Sequence, residues 1–485
     1  MGAGTLLHSP LSVESDLGRR VPEPSRACAT TPGLRRRCYF DSLAVLTIVS
    51  PKAGNTIETL SLPAKWWCRT DDSSVIQSAS MKHLLWLFLL ASTFACGQTS
   101  LPTLTAEQWQ EDLGFFATEI TTKHRDPYHF IDKDKFDQAV SDLRKRIPSM
   151  KDYEVVVGLQ HLAALIGDGH TFLDTSGLYE RFPLEVFWFG DDLRVIRAAP
   201  EYRQALGAKI VAIGSFSIGE VQRRLQQLTS QGENQWYVLN SDAKQLMSVE
   251  PLAALGILPD LRPADFTFED DSGKRFKLRI RPAPGVPSQS GEVSKNPAPL
   301  PFQHPDEPFW FTYLADSKTV YADFRSYQDL QTQCSRLWAY IAKRPVRHLI
   351  VDMRWNTGGN YTKGREYLIY KIIFMPALNR AGHLFVITGR GTFSAGMTNV
   401  TDFRRETEAT LVGEPTGARP NGYQENHWFT LPLSKLRASC ATLRYRFQPE
   451  SETDAVFPDQ RIDPSWQSFR AGKDAALQWI LAHPH

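Results

Sequence analysis

The sequence predicts an α/β protein of more than one domain, and three observations support this prediction. The chain has 485 residues, roughly two to three times a common domain size. Its 42% hydrophobic and 22% charged residues are typical of globular proteins, which excludes a disordered, collagenous or multi-spanning membrane chain. From about Phe309 to the end, short β-rich runs alternate with helical segments, as in an α/β layer architecture.

Charge and cysteine content exclude further classes of protein. The 55 Lys+Arg and 53 Asp+Glu residues leave a net charge of +2, so no basic excess indicates a nucleic-acid partner. Six cysteines are too few for a disulfide scaffold in a chain of this length, and no CxxC pair indicates structural zinc. Cys334 and Cys440 either pair with each other or remain buried thiols.

The segment from Met81 reads MKHLLWLFLLASTFACGQTS. Its apolar run at positions 84–91 is too short to span a bilayer but fits the core of a secretory signal. We therefore expect a signal peptide over residues 81–96 and an exported protein, either periplasmic or extracellular. Residues 1–80 would then be an upstream extension that is not part of the natural protein; the alternative is a genuine N-terminal extension.

Cleavage of this signal after Ala95 would leave Cys96 at the start of the mature chain. The segment also resembles a bacterial lipoprotein signal, in which that cysteine carries the lipid. Contact with a membrane would then depend on a lipid anchor at Cys96.

Residues 101–170 are expected to form an N-terminal helical bundle. Thr105 and Gln108 form a capping box, and apolar residues then recur at helical spacing. Pro148 ends a second helix, and Asp152 caps a third that runs to Leu165.

Residues 182–281 are interpreted as strands with one amphipathic helix, in the order of a PDZ-like α+β module. FTFEDDSGKRFKLRI closes this segment as a hairpin with Asp271, Ser272 and Gly273 in the turn. Residues 282–308 carry eight prolines in 27 positions, which predicts a linker or a long surface loop. Residues 309–485 are expected to form the α/β domain.

Three features of the sequence carry candidate chemistry. Ser394, in RGTFSAGM after the strand HLFVITG, lies at a strand-to-helix turn, where free helix amides favour a nucleophile or an oxyanion. The alternative is an ordinary helix cap. Gly358 and Gly359, in DMRWNTGGN, either free the backbone for an oxyanion hole or form a plain glycine turn.

The third feature is His170, in LIGDGHTFL. A lone histidine is more often structural than catalytic. Neighbouring Asp168 and His161 would suggest a metal, but there is no HExxH motif and no third ligand at a diagnostic spacing. We therefore expect no metal ion at this position.

Together these motifs, with VGEPTG and FPD near the end, resemble in content and order the tail-specific, or C-terminal processing, serine proteases, including the tricorn core branch. The resemblance implies a catalytic domain with a crotonase-like or ClpP-like ββα-spiral fold, beside a PDZ-like module and an N-terminal helical region. It also implies a peptide or protein substrate and no organic cofactor.

The resemblance offers two ways to activate the serine. One branch uses a lysine about 25 residues after it, but here the segment reads GEPTGARPNGY, and Arg419 stays protonated at any working pH. The tricorn-like branch instead implies a triad of Ser394, His170 and Glu452, the glutamate seven residues before Asp459 of the FPD motif. Glu450 and Asp454 flank Glu452, and a solvated acidic loop is the alternative.

The sequence therefore favours an exported serine hydrolase, a peptidase that works through an acyl-enzyme. The resemblance implies that His170 is the general base and then the general acid. Gly358 or Gly359 would form the oxyanion hole with the amide of Ala395. Gly169 departs from the tricorn branch, which carries a polar residue there. The alternative function is a non-catalytic protein of the same fold that binds peptides or apolar ligands.

Overall fold

The computed structural model describes residues 101–283, 291–292 and 298–483. The expected upstream extension (1–80), the signal peptide (81–96) and part of the proline-rich linker lie outside the described residues. Among the described helices, none combines the length and apolar character needed to cross a bilayer.

Helices are found at both ends of the described part of the chain and between the strands. The helices are α1 (Ala106–Lys123), α2 (Lys133–Arg146), α3 (Asp152–Ile166), α4 (Ile218–Leu225), α5 (Gln235–Gln245), α6 (Val249–Ala254), α7 (Leu330–Ile341), α8 (Tyr361–Gly364), α9 (Tyr370–Ile373), α10 (Ala395–Glu406), α11 (Trp466–Arg470) and α12 (Ala475–Ala482). A π-helical turn, Arg365–Ile369, joins α8 to α9.

The strands form three sheets. They are β1 (Phe172–Leu173), β2 (Leu184–Phe189), β3 (Asp192–Ala198), β4 (Lys209–Ile213), β5 (Phe216–Ser217), β6 (Ala264–Glu269), β7 (Arg275–Ile280), β8 (Gly291–Glu292), β9 (Phe309–Leu314), β10 (Thr319–Phe324), β11 (His348–Asp352), β12 (Leu384–Thr388), β13 (Thr410–Gly413), β14 (Asn421–Thr430), β15 (Arg437–Arg446) and β16 (Gln460–Arg461).

The N-terminal helices pack their apolar faces together and against strands β1, β14 and β15. Thr105 and Gln108 form the predicted capping box of α1. Asp152 is the first residue of α3 rather than its cap, which corrects the sequence-based assignment. Its carboxylate accepts the indole N–H of Trp109 at 2.6 Å. Buried residues of these helices share one cluster with Leu173, on β1, and Ala438, on β15.

The middle segment is an α+β unit whose sheet has the order β2-β3-β4-β6-β7, with β5 beside β4 and β8 beside β3. The hairpin of β6 and β7 is confirmed, and Gly273 takes φ 82° in its turn. The expectation of a single helix is wrong, because α4, α5 and α6 all lie here. Asn234 begins α5 by accepting the Tyr237 N–H at 2.8 Å, a local cap that the apolar pattern did not reveal.

The C-terminal α/β sheet has the order β16-β13-β12-β11-β10-β9, and its strands run parallel except for β9, which is antiparallel to β10. Every residue of β10, β11 and β12 is buried, as expected for strands covered on both faces. Because parallel strands end at the same edge, the loops after β11 and β12 meet there. These loops carry the glycine pair and the serine.

A third sheet, in the order β1-β15-β14, pairs a short strand that follows the N-terminal helices with two strands that follow β13. Phe172 of β1 pairs with Ser439 of β15, which brings the histidine loop beside the α/β domain. Cys334 and Cys440 are both buried free thiols.

Candidate active site

Ser394 and His170 lie in contact. The Nε2 atom of His170 is 2.9 Å from the Oγ atom of Ser394. Ser394 occupies the N-cap position of α10, but its side chain makes no capping hydrogen bond. The hydroxyl therefore points to the imidazole rather than to the helix amides.

The backbone of Ser394 is strained. Its dihedral angles are φ 50° and ψ −126°, a conformation that a residue with a side chain rarely adopts and that costs on the order of 1–3 kcal/mol. Such a turn between a strand and a helix presents a nucleophile at the helix start, as the elbow of the α/β-hydrolases does. The geometry favours a catalytic role over a capping role.

The ring of His170 is held by packing. It is buried, with 4% exposure, and stacks on Phe393 at a centroid distance of 4.8 Å. A Cβ atom on Gly169 would lie 2.7 Å from Cζ of Phe393 and 3.0 Å from Cε2 of Tyr237. The glycine that departs from the tricorn pattern is therefore required by these two aromatic rings.

The loop before His170 is fixed by a buried pair, His124 and Asp168. One Asp168 oxygen accepts the backbone N–H of His170 at 3.0 Å. The other lies 2.9 Å from Nε2 of His124 and accepts the Thr171 hydroxyl at 2.9 Å. Burial alone would raise the pKa of Asp168, but hydrogen bonding and charge from His124 hold it below its ordinary value. Asp168 therefore carries a negative charge beside the loop that holds the His170 ring.

His124, His129 and Asp168 place one possible ligand atom each within 4.8 Å of one another. However, Nδ1 of His124 accepts the backbone N–H of Asp126 at 2.9 Å, so the proton of the neutral ring lies on Nε2, facing Asp168. A metal ion on Nε2 would move that proton to Nδ1, against the Asp126 N–H. The cluster fits a hydrogen-bonded pair better than a metal site.

A second carboxylate, Glu233, links the histidine loop to the segment GEPTGARPNGY. This is the segment in which proteases of the lysine branch carry the lysine that serves as the base. The two carboxylate oxygens of Glu233 accept the N–H of Gly169 at 3.0 Å and that of Arg419 at 3.2 Å. Burial raises the pKa of Glu233 to about 7. The guanidinium of Arg419 donates to the Glu233 carbonyl, and none of the described residues that line the cavity at Ser394 is a lysine.

The predicted oxyanion-hole residues lie beside Ser394, but their backbone N–H groups differ in whether they already donate a hydrogen bond. A Cβ atom on Gly358 would lie 2.7 Å from Cβ of Ser394 and 3.2 Å from N of Ala395, so only glycine fits. The Gly358 N–H already donates to Oδ1 of Asn356 at 3.0 Å. The amides of Gly359 and Ala395 donate no hydrogen bond among the described residues, and they remain the candidates for binding an oxyanion.

Asn356 fastens the two loops together and was not singled out from the sequence. It is fully buried, and its carbonyl accepts the N–H of Phe393 at 2.9 Å. Its side-chain amide donates to the carbonyl of Phe324 at 3.0 Å. The residue stood within the quoted DMRWNTGGN motif, whereas His124 and Glu233 lie in segments that carried no local signal.

Glu452 is not brought to His170, which corrects the expected triad. Its carboxylate pairs with Arg446 at 2.5 Å, and 63% of its side chain is exposed. The Nδ1 atom of His170 is buried and makes no hydrogen bond of normal geometry with a described residue. Glu452 gains more from solvent and a nearby arginine than from a buried ring, so the solvated acidic loop is the better account of this segment.

Three influences act on the base strength of His170. Burial lowers its pKa below the ordinary value of 6.5, and the charges of Asp168 and then Glu425 oppose this by raising it. The Tyr423 backbone carbonyl has a smaller effect in the same direction. The ring is therefore neutral near neutral pH, the form that can accept a proton from Ser394.

Comparison with known proteins identifies a similar fold among solved structures. No family model and no curated protein matches the chain. Its fold is similar to that of mature CPAF solved with lactacystin, with a TM-score of 0.52 and 11% identity over 78% of this chain and 97% of that one.

Two further solved structures are more distant. The photosystem II D1 C-terminal processing protease has a TM-score of 0.37 and 16% identity over 77% of this chain and 99% of that one. The tricorn protease has a TM-score of 0.37 and 13% identity over 78% of this chain and 36% of that one.

The fold and the site together define a class: an α/β chain with the fold of mature CPAF and a serine–histidine pair at the edge of its parallel sheet.

Proposed function

We propose that this protein is a serine peptidase of the tail-specific protease family, which cleaves peptide bonds through an acyl-enzyme intermediate. The observation that carries the proposal is the 2.9 Å contact between Nε2 of His170 and Oγ of Ser394, made by a serine whose hydroxyl is not used for capping. The ordered motifs and the CPAF-like fold support the same conclusion.

The first half of the reaction forms the acyl-enzyme. Nε2 of His170 accepts the hydroxyl proton of Ser394 while Oγ attacks the carbonyl carbon of the scissile bond. The carbonyl oxygen becomes an oxyanion that the amides of Ala395 and Gly359 stabilise, and one such donor contributes about 3–4 kcal/mol. The C–N bond then breaks, and the imidazolium of His170 protonates the leaving amine.

The second half releases the acid. His170, neutral again, accepts a proton from a water molecule that attacks the ester carbon, and the proton then passes to Oγ of Ser394 as the ester bond breaks. The imidazolium formed in both halves lies near the charges of Asp168 and Glu425. These charges act through space, so the proposed mechanism uses a serine–histidine pair rather than a triad with Glu452.

We also propose that the protein is exported, with residues 81–96 as its signal and with Cys96 as the position of a possible lipid. This proposal rests on the sequence alone. Sequencing the N-terminus of the protein isolated from its native host tests it: a start near Cys96 or Gly97 is expected, and an intact Met1 on exported protein would overturn it.

Cleavage of unfolded casein tests the peptidase proposal. The chain from residue 97 should cut casein into peptides that mass spectrometry maps to defined cleavage sites. Ser394→Ala should lower the rate of this cleavage on the order of 10⁴-fold or more. Ser335→Ala, an exposed serine on α7, is the matched control and should match the wild type. Binding of casein without any Ser394-dependent cleavage would favour the alternative, a non-catalytic peptide-binding protein.

A further inference from the structure

Among the described residues that line the cavity at Ser394 and His170, one carries a fixed charge. The cavity encloses about 300 Å³, and its described lining contains aromatic, small and amide side chains with one carboxylate, Glu425. Phe172 and Trp428 contribute aromatic walls, and 43% of the Trp428 surface is exposed. The cavity therefore combines apolar walls with one negative group, a combination that suits a side chain with an apolar stem and a positive end.

The carboxylate of Glu425 is held in place. Its Oε1 atom accepts the hydroxyl of Tyr445 at 3.0 Å. The backbone at Glu425 takes φ 63°, and its carbonyl accepts the Thr442 hydroxyl at 3.0 Å. The pairing of β14 with β15 is registered at Gln424 and Asn426 but not at Glu425. This left-handed backbone conformation, which residues other than glycine rarely adopt, sets Glu425 apart from the regular strand.

Glu425 does not serve as the hydrogen-bonded acid of a triad. Such an acid would accept a proton from Nδ1 of His170, and that atom makes no hydrogen bond of normal geometry with a described residue. Glu425 is also exposed, whereas Asp168 already supplies a buried charge behind the ring. The Glu425 carboxylate is thus free to meet a ligand that enters the cavity.

We infer that Glu425 selects peptide substrates with a lysine or arginine side chain close to the scissile bond. This inference rests on the proposed peptidase function. A bound ammonium or guanidinium group pairs with the Glu425 carboxylate, while the methylene stem packs on the aromatic walls at Phe172 and Trp428. An acidic side chain at the same place is repelled and loses its hydration without gaining a partner.

The test uses matched peptides of one casein segment, which is the cleavage site mapped as above or, if casein is not cleaved, a segment chosen beforehand. Each peptide carries Lys, Gln or Glu at one position within four residues of the scissile bond. At pH 8, where His170 is neutral, the wild type should cleave the best Lys peptide at least about fivefold more efficiently, in kcat/KM, than its Glu counterpart. Glu425→Gln should bring this ratio close to one, and Glu425→Lys should invert it. Glu201→Gln, an exposed glutamate before β4, is the control and should preserve the ratio.

Binding to the Ser394→Ala chain separates this inference from the proposed function. Fluorescence anisotropy should show tighter binding of the labelled Lys peptide than of the Glu peptide, with a difference that shrinks at high salt. If no chain cleaves but this preference persists, the peptidase proposal fails and the selectivity of Glu425 stands. Equal kcat/KM for all three peptides would overturn the selectivity while the peptidase proposal survives. An equal loss on all peptides in Glu425→Gln would also overturn it, because it would show that Glu425 acts through His170.

Discussion

His170 and Ser394 are 224 residues apart in the chain, and their side chains meet at 2.9 Å. The contact depends on two sheets of the fold. The sheet of β1, β15 and β14 brings the histidine loop to the α/β domain, and the parallel sheet ends at the turn that carries the serine. The ring of Phe393, one residue before Ser394, stacks on His170 and holds the two residues in their relative position.

The pH dependence of kcat/KM should report the state of His170. Activity requires the neutral ring and should fall as pH decreases through the pKa of His170, with a midpoint below the ordinary 6.5 because burial lowers that pKa. Of the two carboxylates that raise the pKa of His170, Asp168 has the larger effect. Asp168→Asn removes this charge, so the midpoint of the variant should move to lower pH. Its turnover should also fall, because the imidazolium loses a stabilising charge. A wild-type midpoint above 6.5, or an upward shift in the variant, would contradict this account.

Glu452→Gln should leave kcat/KM within about twofold of the wild type, since an exposed ion pair contributes little. Arg446→Gln, which removes the partner of Glu452, is the matched variant and should behave the same way. Steady-state kinetics on one peptide is sufficient. A loss of about 100-fold in Glu452→Gln alone would restore this residue as the acid that orients His170.

Gly169→Ala should damage the site without touching a reacting atom. The new Cβ would lie 2.7 Å from the Phe393 ring, and relieving such a contact costs about 1–3 kcal/mol of folding free energy. We expect kcat to fall at least tenfold, because His170 moves with the ring on which it stacks. Gly219→Ala is the control: a Cβ there meets nothing within 4 Å, and the exchange in α4 should be neutral or stabilising. Equal behaviour of the two variants would argue against the packing role of Gly169.

The pH dependence of folding stability should report Glu233. Burial raises the pKa of this carboxyl from 4.5 to about 7, although both of its oxygens accept backbone N–H groups, from Gly169 and Arg419. The unfolded chain therefore releases this proton at lower pH than the folded chain, and the wild type should lose stability as pH rises from about 5 to about 7. Glu233→Gln has no proton to release, so urea unfolding at several pH values should show a flatter profile in the variant. A variant that keeps the wild-type profile would contradict this account of Glu233.

The sequence predicted the parts of the site that depend on local pattern. Ser394 and the glycine pair follow buried strands, and the ends of parallel strands meet, so their proximity could be inferred from order alone. His170 was found through its motif. Glu452 was chosen by its distance from FPD, and spacing along a loop does not specify where a carboxylate points. His124, Glu233 and Glu425 act through contacts between distant segments, which no local pattern encodes.

The most direct test of the central claim is labelling of the chain from residue 97 by a fluorophosphonate, followed by peptide mapping. An activated serine attacks the phosphorus, fluoride leaves, and one stable adduct per chain is expected on the peptide that contains Ser394. Ser394→Ala should take up no label, and His170→Ala should react at a rate close to background, since the two residues act as one unit. A folded wild-type chain that stays unlabelled, or that carries its adduct on another residue, would contradict the assignment of Ser394 as the nucleophile.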